Sequence, residues 1–340
     1  MSSSLRIAVL GVGNIGSTFA FQLARTGRHD VTVVARPTSS RLQQLQRDNG
    51  VVNIDGERAE VRVTDTLDEQ TPYDLVIVTV FAHQVDAVLP TLQRSAAKCI
   101  QFMFNDFEPE RLRDSIGAER CSFGMPFVQA LLDNDGKLKA TIGAAGQKTI
   151  MSQQRSVDVF DAAGLPAVLE PDMFLWLRCH VPMCVAFESV SVAGMRRSGG
   201  ASWGESMVIA RGVHESFALI QGLGYRVYPR GKVWINRSPA WVVAAILWFM
   251  SRITSFRELL ATGINECRAL VDVMVAAAPR ASPPVRVPRI QAMKPSENLR
   301  PKGTARKRYF VRFADDADDA LGEFYFRQAP RSVRPRTPYP

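Results

Sequence analysis

The first 36 residues contain two apolar runs. Between them lies a segment whose apolar side chains recur at the spacing of an α-helix. Residues 5–10 and 31–34 are short apolar or β-branched runs, which is typical of strands buried on both faces of a parallel sheet. Between them, residues 17–25 carry apolar side chains three and four positions apart, and Gly27 follows. The pattern predicts strand, turn, helix and strand within about thirty residues, the unit from which parallel sheets are built.

Later segments extend this predicted sheet. Residues 74–80 and 97–104 are near-continuous apolar runs, as expected for central strands. Residues 136–146 contain glycines on either side of a short β-prone run, which predicts a hairpin and a strand that close the domain. We therefore predict an α/β domain with a doubly wound parallel sheet over residues 1–150.

Beyond residue 152 the pattern changes to helical periods. We predict helices at 153–163, 173–187, 205–223, 240–250 and 256–278. The segment 240–250 is wholly apolar, but its 11 residues are fewer than the roughly 20 that cross a bilayer. The sequence thus predicts an all-helical second domain over 151–295, with 240–250 as a buried helix and no membrane span.

The charge of the chain is concentrated in its last sixty residues. Of the 42 Lys and Arg residues, 14 lie in 280–340, against six of the 33 Asp and Glu residues, so this segment carries most of the net charge of +9. It also holds nine of the 20 prolines. We interpret 296–340 as a basic, Pro-rich tail of undetermined order and expect no nucleic-acid partner; a loose arm that binds polyanions is the alternative.

The five cysteines are scattered, without a CxxC pair, and no apolar targeting segment precedes the first predicted strand. We therefore expect reduced, mostly buried thiols and a cytoplasmic protein. The 340 residues, 46% of them hydrophobic, are enough for two cores.

The turn between the first predicted strand and helix has the spacing GxGxxG. In such a turn the first glycine permits a tight bend, the second lets the backbone approach a pyrophosphate, and the third allows the helix to pack on the strand. Free N–H groups at the helix start then face the phosphates. This context indicates a Rossmann dinucleotide site, whose predicted contacts are Gly11, Gly13, Asn14, Ile15 and Gly16.

The residue after the second predicted strand selects the dinucleotide. NAD-binding folds place an acidic side chain there to accept from the ribose 2′-hydroxyl, but this chain has Arg36, followed by hydroxyl residues and Arg41. A guanidinium pairs well with a phosphate dianion. The sequence therefore favours NADP over NAD, the alternative for Arg36 being an exposed charge at a strand end.

The layout resembles the ketopantoate reductase (2-dehydropantoate 2-reductase) family, as a divergent member. The resembling segments are the glycine loop with Arg36, residues 78–84, Phe104-Asn105, the helix around Trp176, and residues 287–290. The resemblance spans about 5–295 and is strongest in the first third. It implies a Rossmann domain, an all-helical C-terminal domain, and NADPH-dependent reduction of a small 2-oxo acid between them; a homodimer is left open.

The resemblance also implies site residues on the first helix of the second domain. The family has a lysine there that serves the substrate carbonyl and an asparagine one turn later, positions that correspond here to Arg178 and Pro182. Arginine can polarise a carbonyl but is a poor proton donor at neutral pH. Another group, with His180 a candidate, would then supply the proton; the alternative for His180 is a buried helix histidine.

Further substrate contacts are implied after the fourth predicted strand and on later helices. Asn105 matches the strand-end asparagine, and its position at a carboxyl strand end suits cofactor as well as substrate; an Asx turn is the alternative. Ser251 matches the family's serine. The glutamate position corresponds to Gly263, with Glu266 three residues on, close to the same helical face.

Two function classes follow. The first is an NADPH-dependent reductase of a 2-dehydropantoate-like 2-oxo acid, with Arg178, Asn105, Ser251 and Glu266 at the substrate. The second is an NADP-binding paralogue with altered catalytic positions that acts as a sensor or interaction protein. Turnover of NADPH with a 2-oxo acid separates them.

Overall fold

The computed structural model describes residues 4–197, 199–261 and 263–296, without the side chain of Ala145. The predicted basic tail lies outside these residues apart from its first position.

The chain first forms strands with intervening helices, up to β12, and then only helices. The strands of the described residues are β1 (Arg6–Leu10), β2 (Asp30–Val34), β3 (Val51–Val52), β4 (Arg58–Ala59), β5 (Arg62–Thr64), β6 (Leu75–Val78), β7 (Ile100–Met103), β8 (Cys121–Met125), β9 (Val128–Leu132), β10 (Leu138–Ile142), β11 (Thr149–Met151) and β12 (Ala167–Leu169). The α-helices are α1 (Asn14–Ala24), α2 (Ser40–Asp48), α3 (Val85–Arg94), α4 (Pro109–Ile116), α5 (Gln154–Ala162), α6 (Met173–Arg197), α7 (Trp203–Gly222), α8 (Arg230–Arg237), α9 (Ala240–Met250), α10 (Thr254–Leu260), α11 (Ile264–Ala277) and α12 (Val287–Gln291). Short 3-10 helices span Ala82–Gln84, Ala144–Gly146 and Ala278–Arg280.

The main sheet has eight strands in the order β12-β11-β8-β7-β6-β1-β2-β5. All of its pairings are parallel except that between β8 and β11. The chain leaves β1 for β2 on one side and later returns to β6 on the other, so the strand order reverses at β1. Open α/β sheets bind ligands outside the carboxyl ends of the strands at such a reversal. The predicted doubly wound parallel sheet is confirmed, and it places the glycine loop at this position.

The central strands of the sheet carry apolar side chains on both faces, because each face packs into a core. Ile7, Val9 and Ile77 pack into one core with α1 and α5, whereas Ala8, Val76 and Phe102 pack into a second core on the opposite face. Such continuous burial explains why these strands read as uninterrupted apolar runs rather than alternating ones.

The second domain is built around α6, a helix of 25 residues. It packs against α7, α10 and α11, and together these helices form a third core that includes Val190, Phe217 and Leu270. By length and composition α6 would also suffice to cross a membrane, but 83% of its apolar window is buried inside the fold. Its hydrophobicity is therefore accounted for by its central place in a helical core. The predicted all-helical C-terminal domain is confirmed.

Several element boundaries differ from those predicted. The segment 256–278 is two helices, α10 and α11, rather than one. The hairpin is formed by β9 and β10 and so begins earlier than predicted, before its turn at Gly136. After residue 150, α5 and β12 still belong to the sheet layer, so the sheet continues past the predicted boundary.

Candidate functional site

The glycine loop joins β1 to α1 with each glycine in a different environment. Gly11 has φ +93°, a conformation that favours glycine. A Cβ on Gly16 would lie 1.9 Å from the carbonyl oxygen of Gly11, so this position must lack a side chain for α1 to pack on β1. A Cβ on Gly13 would meet no atom within 4 Å. The fold therefore requires Gly16, while the backbone at Gly13 is open to an approaching ligand.

Side chains around the loop fix its shape. Thr79, which follows β6, donates from Oγ1 to the carbonyl oxygen of Gly11 at 2.5 Å. Arg41 donates from Nε to the carbonyl oxygen of Val12 at 3.1 Å and from Nη2 to the Ser17 hydroxyl at 2.8 Å. Burial lowers the pKa of Arg41 to about 10, and the charge of Asp48 opposes part of that change. The Arg41 guanidinium is thus engaged by groups of the protein itself.

Arg36 follows β2 and is exposed at the edge of the cleft, which Ser39, partly buried, and Ser40, exposed, also line. The Ser39 hydroxyl caps α2 by accepting from the backbone N–H of Leu42 at 3.2 Å. The Ser39 hydroxyl also donates to the backbone carbonyl oxygen of Arg36 at 2.7 Å, so the start of α2 is held next to Arg36.

A continuous cleft of about 1400 Å³ connects this region to the helical domain. Its outer end is lined by the glycine loop, the residues after β2 and the β9–β10 hairpin. Its inner end is lined by His180, Cys184 and Glu188 of α6 and by Phe256 of α10. One cavity thus holds both the predicted nucleotide-binding loop and a set of reactive side chains.

The inner residues share one face of α6 because they follow one another at intervals of four. The ring of His180 stacks on Trp176 with centroids 4.5 Å apart. Burial, and then the charge of Lys232, lowers the pKa of His180 well below its ordinary value, so its imidazole is neutral at neutral pH. His180 therefore offers a hydrogen-bonding nitrogen without a charge.

Glu188 lies at the place where the resemblance expects a different carboxylate. A Cβ on Gly263 would lie 2.6 Å from Oε1 of Glu188, so the missing side chain of α11 leaves room for the Glu188 carboxyl. Glu188 Oε2 accepts from the Cys267 thiol at 2.7 Å. Burial raises the pKa of Glu188 to about 7, partly offset by the Cys267 thiol and the nearby Gly263 backbone. A carboxyl group from α6 thus lies next to position 263, where the resemblance expects a carboxylate from α11.

The structure brings together Asn105 and Glu266, two of the predicted site residues. Asn105 Nδ2 donates to Glu266 Oε1 at 3.4 Å, across the boundary between the sheet and α11. Both residues keep partial exposure, and Oδ1 of Asn105 has no hydrogen-bond partner among the described residues. Burial of the carboxyl, and then the charge of Glu188, raises the pKa of Glu266 to about 7. The pair therefore lies near Glu188, which lines the cleft, whereas the described lining includes neither Asn105 nor Glu266.

Arg178 does not join this group. Its Nη2 donates to Glu110 Oε2 of α4 at 2.5 Å, and its guanidinium lies 3.9 Å from the ring centroid of Tyr225. The described lining of the cleft does not include it. Its side chain is 4% exposed. These contacts give Arg178 a structural role that ties α6 to the first domain.

Ser251 is likewise engaged elsewhere. Its hydroxyl donates to the carbonyl oxygen of Trp248 at 2.7 Å and accepts from the backbone N–H of Ala201 at 2.9 Å. The residue is fully buried at the end of α9. Ser251 therefore holds α9 to the start of α7, and the structure does not bring it to the cleft.

The sequence reasoning missed Cys184, Glu188 and Cys267. The first two are four residues apart on α6, a spacing that places them on one face. A carboxylate inside an otherwise apolar helix was the available signal, since such a group is rarely buried without a reason. The position of Cys267, 79 residues away from Glu188, could not be read from the chain.

The fold is a Rossmann-type parallel sheet with a helical second domain, and one cleft extends from the glycine loop to the helices. Residues 7–153 match the family model of ketopantoate reductase PanE/ApbA. This match supports the resemblance that the sequence motifs indicate for the first half of the chain. A search of curated protein sequences finds no match.

Solved structures share the fold at low identity. A PanE/ApbA family ketopantoate reductase from Ralstonia eutropha JMP134 is 18% identical with a TM-score of 0.66, over 85% of this chain and 96% of that one. A 2-dehydropantoate 2-reductase from Porphyromonas gingivalis W83 is 16% identical with a TM-score of 0.59, over 86% and 98%. D-mandelate dehydrogenase, in a ternary structure with NADH and anilino(oxo)acetate, is 14% identical with a TM-score of 0.61, over 85% and 96%.

Proposed function

We propose that the protein is an NADPH-dependent oxidoreductase that reduces a small, 2-dehydropantoate-like 2-oxo acid. The observation that carries this proposal is the single cleft that runs from the glycine loop and Arg36 to the polar face of α6. A dinucleotide with its phosphates at the loop and its 2′-phosphate at Arg36 would extend its nicotinamide toward α6. The family supports a carbonyl substrate at that end.

The reaction needs few groups from the protein. A hydride leaves the nicotinamide and forms a C–H bond at the keto carbon, while the carbonyl π pair moves to oxygen. A proton taken up from solvent then completes the hydroxyl, and oxidised nucleotide remains. The protein must hold the substrate oxygens beside the ring and stabilise the charge on the reduced oxygen.

Asn105 and Glu266 are the residues that we propose hold the substrate. The free Oδ1 of Asn105 can accept from a substrate hydroxyl, and the carboxyl of Glu266 is fixed by the amide of the same residue. Asn105 follows β7 at the carboxyl edge of the sheet, two strands away from β1, and it also remains a proposed cofactor contact. Arg178 and Ser251 receive no substrate role in this proposal because their side chains are bound to other parts of the protein.

Substrate turnover tests the activity. We expect purified protein to oxidise NADPH with at least one member of a panel of 2-oxo acids. Glu266→Gln should lower kcat/KM by about ten- to a hundredfold, the effect of losing one hydrogen bond to a charged group, while the Kd for NADPH stays unchanged. Glu119→Gln, an exposed carboxyl outside the cleft, is the control.

An NADP-binding protein without this chemistry is the second candidate. The placement of Arg178 favours this candidate. Arg178 stands where the family has the lysine that serves the substrate carbonyl, but its side chain pairs with Glu110 and does not line the cleft. Tight NADPH binding without turnover of any panel compound would select this alternative.

Cofactor preference tests the role of Arg36. In Arg36→Glu a carboxylate replaces the guanidinium, so it would repel a 2′-phosphate and accept from a 2′-hydroxyl. We expect the ratio of the NADPH and NADH affinities to fall by at least about tenfold, since about 1.4 kcal/mol suffices for that change. Isothermal titration with both nucleotides measures it. Arg230→Glu, at an exposed site outside the cleft, should keep the wild-type ratio; the same ratio in Arg36→Glu would refute the assignment.

A further inference from the structure

Two thiols and a carboxyl meet at the inner end of the cleft. The Sγ atoms of Cys184 and Cys267 and a carboxylate oxygen of Glu188 all lie within 4.8 Å of one another. We propose that these three side chains bind a zinc-type divalent cation. This site is independent of the nucleotide loop, and no step of the reaction as described above requires it.

The ligand set and its spacing suit such a cation. Cys184 and Glu188 project from one face of α6 a single turn apart, and Cys267 reaches them from α11. Around a tetrahedral zinc, with Zn–S bonds of about 2.3 Å and Zn–O bonds of about 2.0 Å, ligand atoms lie roughly 3.5–4 Å apart. Small side-chain rotations would bring the cluster to that geometry. Thiolate sulfur favours zinc over magnesium or calcium, which prefer oxygen ligands.

The state of Glu188 provides a second, independent observation. The residue is 7% exposed, and its Oε1 makes no well-formed hydrogen bond with a described residue. A buried polar atom without a partner costs about 1–3 kcal/mol. Gly263 leaves the space that this carboxyl occupies, so the chain places an under-satisfied acceptor next to two thiols. A cation bound by all three would satisfy it.

The number of ligands indicates a site with an open position. Catalytic zinc sites keep three protein ligands and leave the fourth position to water or substrate, whereas structural sites use four protein ligands. Cys184 and Glu188 line the cleft, so the open position faces its interior. There the cation would polarise a substrate carbonyl and stabilise the alkoxide after hydride transfer.

This role of the cation rests on the proposed function, but its binding does not. Within the proposal, the cation replaces the electrophilic side chain that Arg178 does not supply from its buried position. No electron transfer to the cation is involved, because the hydride comes from NADPH and zinc has no redox chemistry.

Metal loading of the full-length protein tests the site. Reduced, metal-free protein is dialysed against Co²⁺ or Zn²⁺, and the bound metal is measured by mass spectrometry. We expect one equivalent per chain, with a thiolate-to-cobalt charge-transfer band and the visible bands of tetrahedral cobalt. Zinc should also protect Cys184, the partly exposed thiol of the pair, from alkylation in the wild-type protein, a readout that requires no variant.

Matched cysteine variants assign the ligands. Cys184→Ser and Cys267→Ser should lose the stoichiometric metal and the charge-transfer band, whereas Cys99→Ser, at a buried thiol just before β7, should keep both. Absence of bound metal and of zinc protection in the wild type overturns the site, even if NADPH turnover is found. Bound metal that leaves turnover unchanged overturns the Lewis-acid role, and bound metal without any turnover refutes the proposed function while the site stands.

Discussion

Gly13→Asp should abolish NADPH binding while leaving the fold intact. A side chain at this position has room, because a Cβ would meet no atom within 4 Å. The carboxylate would then occupy the space in which the proposed pyrophosphate approaches the backbone. Two like charges about 4 Å apart repel by roughly 1–4 kcal/mol, depending on how far water screens them. With two phosphates nearby, we expect the Kd for NADPH to rise by at least about a hundredfold.

Gly204→Asp is the matched control for this change. It introduces the same carboxylate at a helical glycine that also has space for a side chain, outside the cleft. Circular dichroism and thermal unfolding should show both variants folded, and isothermal titration should show NADPH affinity lost only in Gly13→Asp. A Gly13→Asp protein that binds NADPH like the wild type would show that the loop does not hold the pyrophosphate.

Gly13 and Gly16 illustrate how much of the site the sequence contains. The order of strand, glycine turn, helix and strand depends on contacts between residues close in the chain, so local pattern alone predicts it. Gly16 is required because a Cβ would collide with the Gly11 carbonyl, a constraint already implied by the motif. The glycine-loop end of the cleft was therefore predictable from about thirty residues.

The substrate end was less predictable because it depends on which way helical side chains face. Arg178 and His180 are two residues apart on α6, and only His180 lines the cleft. The helix is buried on nearly every side, so its sequence has no polar face that would show which residues line a cleft. The pairing of Arg178 with Glu110, 68 residues earlier, decides its direction, and that contact is tertiary.

The break between α10 and α11 has a similar origin. Residues 256–278 are predicted as one helix because their apolar spacing continues through Gly263. The structure starts a new helix there, and Gly263 lies against the carboxyl of Glu188. That the carboxyl next to position 263 comes from α6 rather than from α11 can be seen only when the two helices are packed together.

Lys232 should make the stability of the protein depend on pH above neutrality. The side chain is buried in the second domain, where Nζ donates to the carbonyl oxygen of Trp176 at 3.1 Å and lies 4.0 Å from its ring centroid. Burial lowers the pKa of Lys232 to about 7, although the charges of Cys179 and Glu170 oppose that shift. In the unfolded chain a lysine titrates near its ordinary pKa of about 10.4. Between these values the unfolded state binds more protons, so the free energy of unfolding must rise with pH.

Lys232→Met removes this titration and so isolates it. Each pH unit in the window is worth up to about 1.4 kcal/mol, so the unfolding free energy of the wild type minus that of Lys232→Met should increase by about 2 kcal/mol between pH 7 and pH 9. Urea unfolding of both proteins at each pH measures the difference. Lys148→Met, at an exposed lysine, should give a difference that does not change over the same range. An equally flat result for Lys232→Met would mean that Lys232 keeps its charge in the folded protein. In that case the carbonyl oxygen and ring of Trp176 would stabilise the ammonium enough to offset its burial.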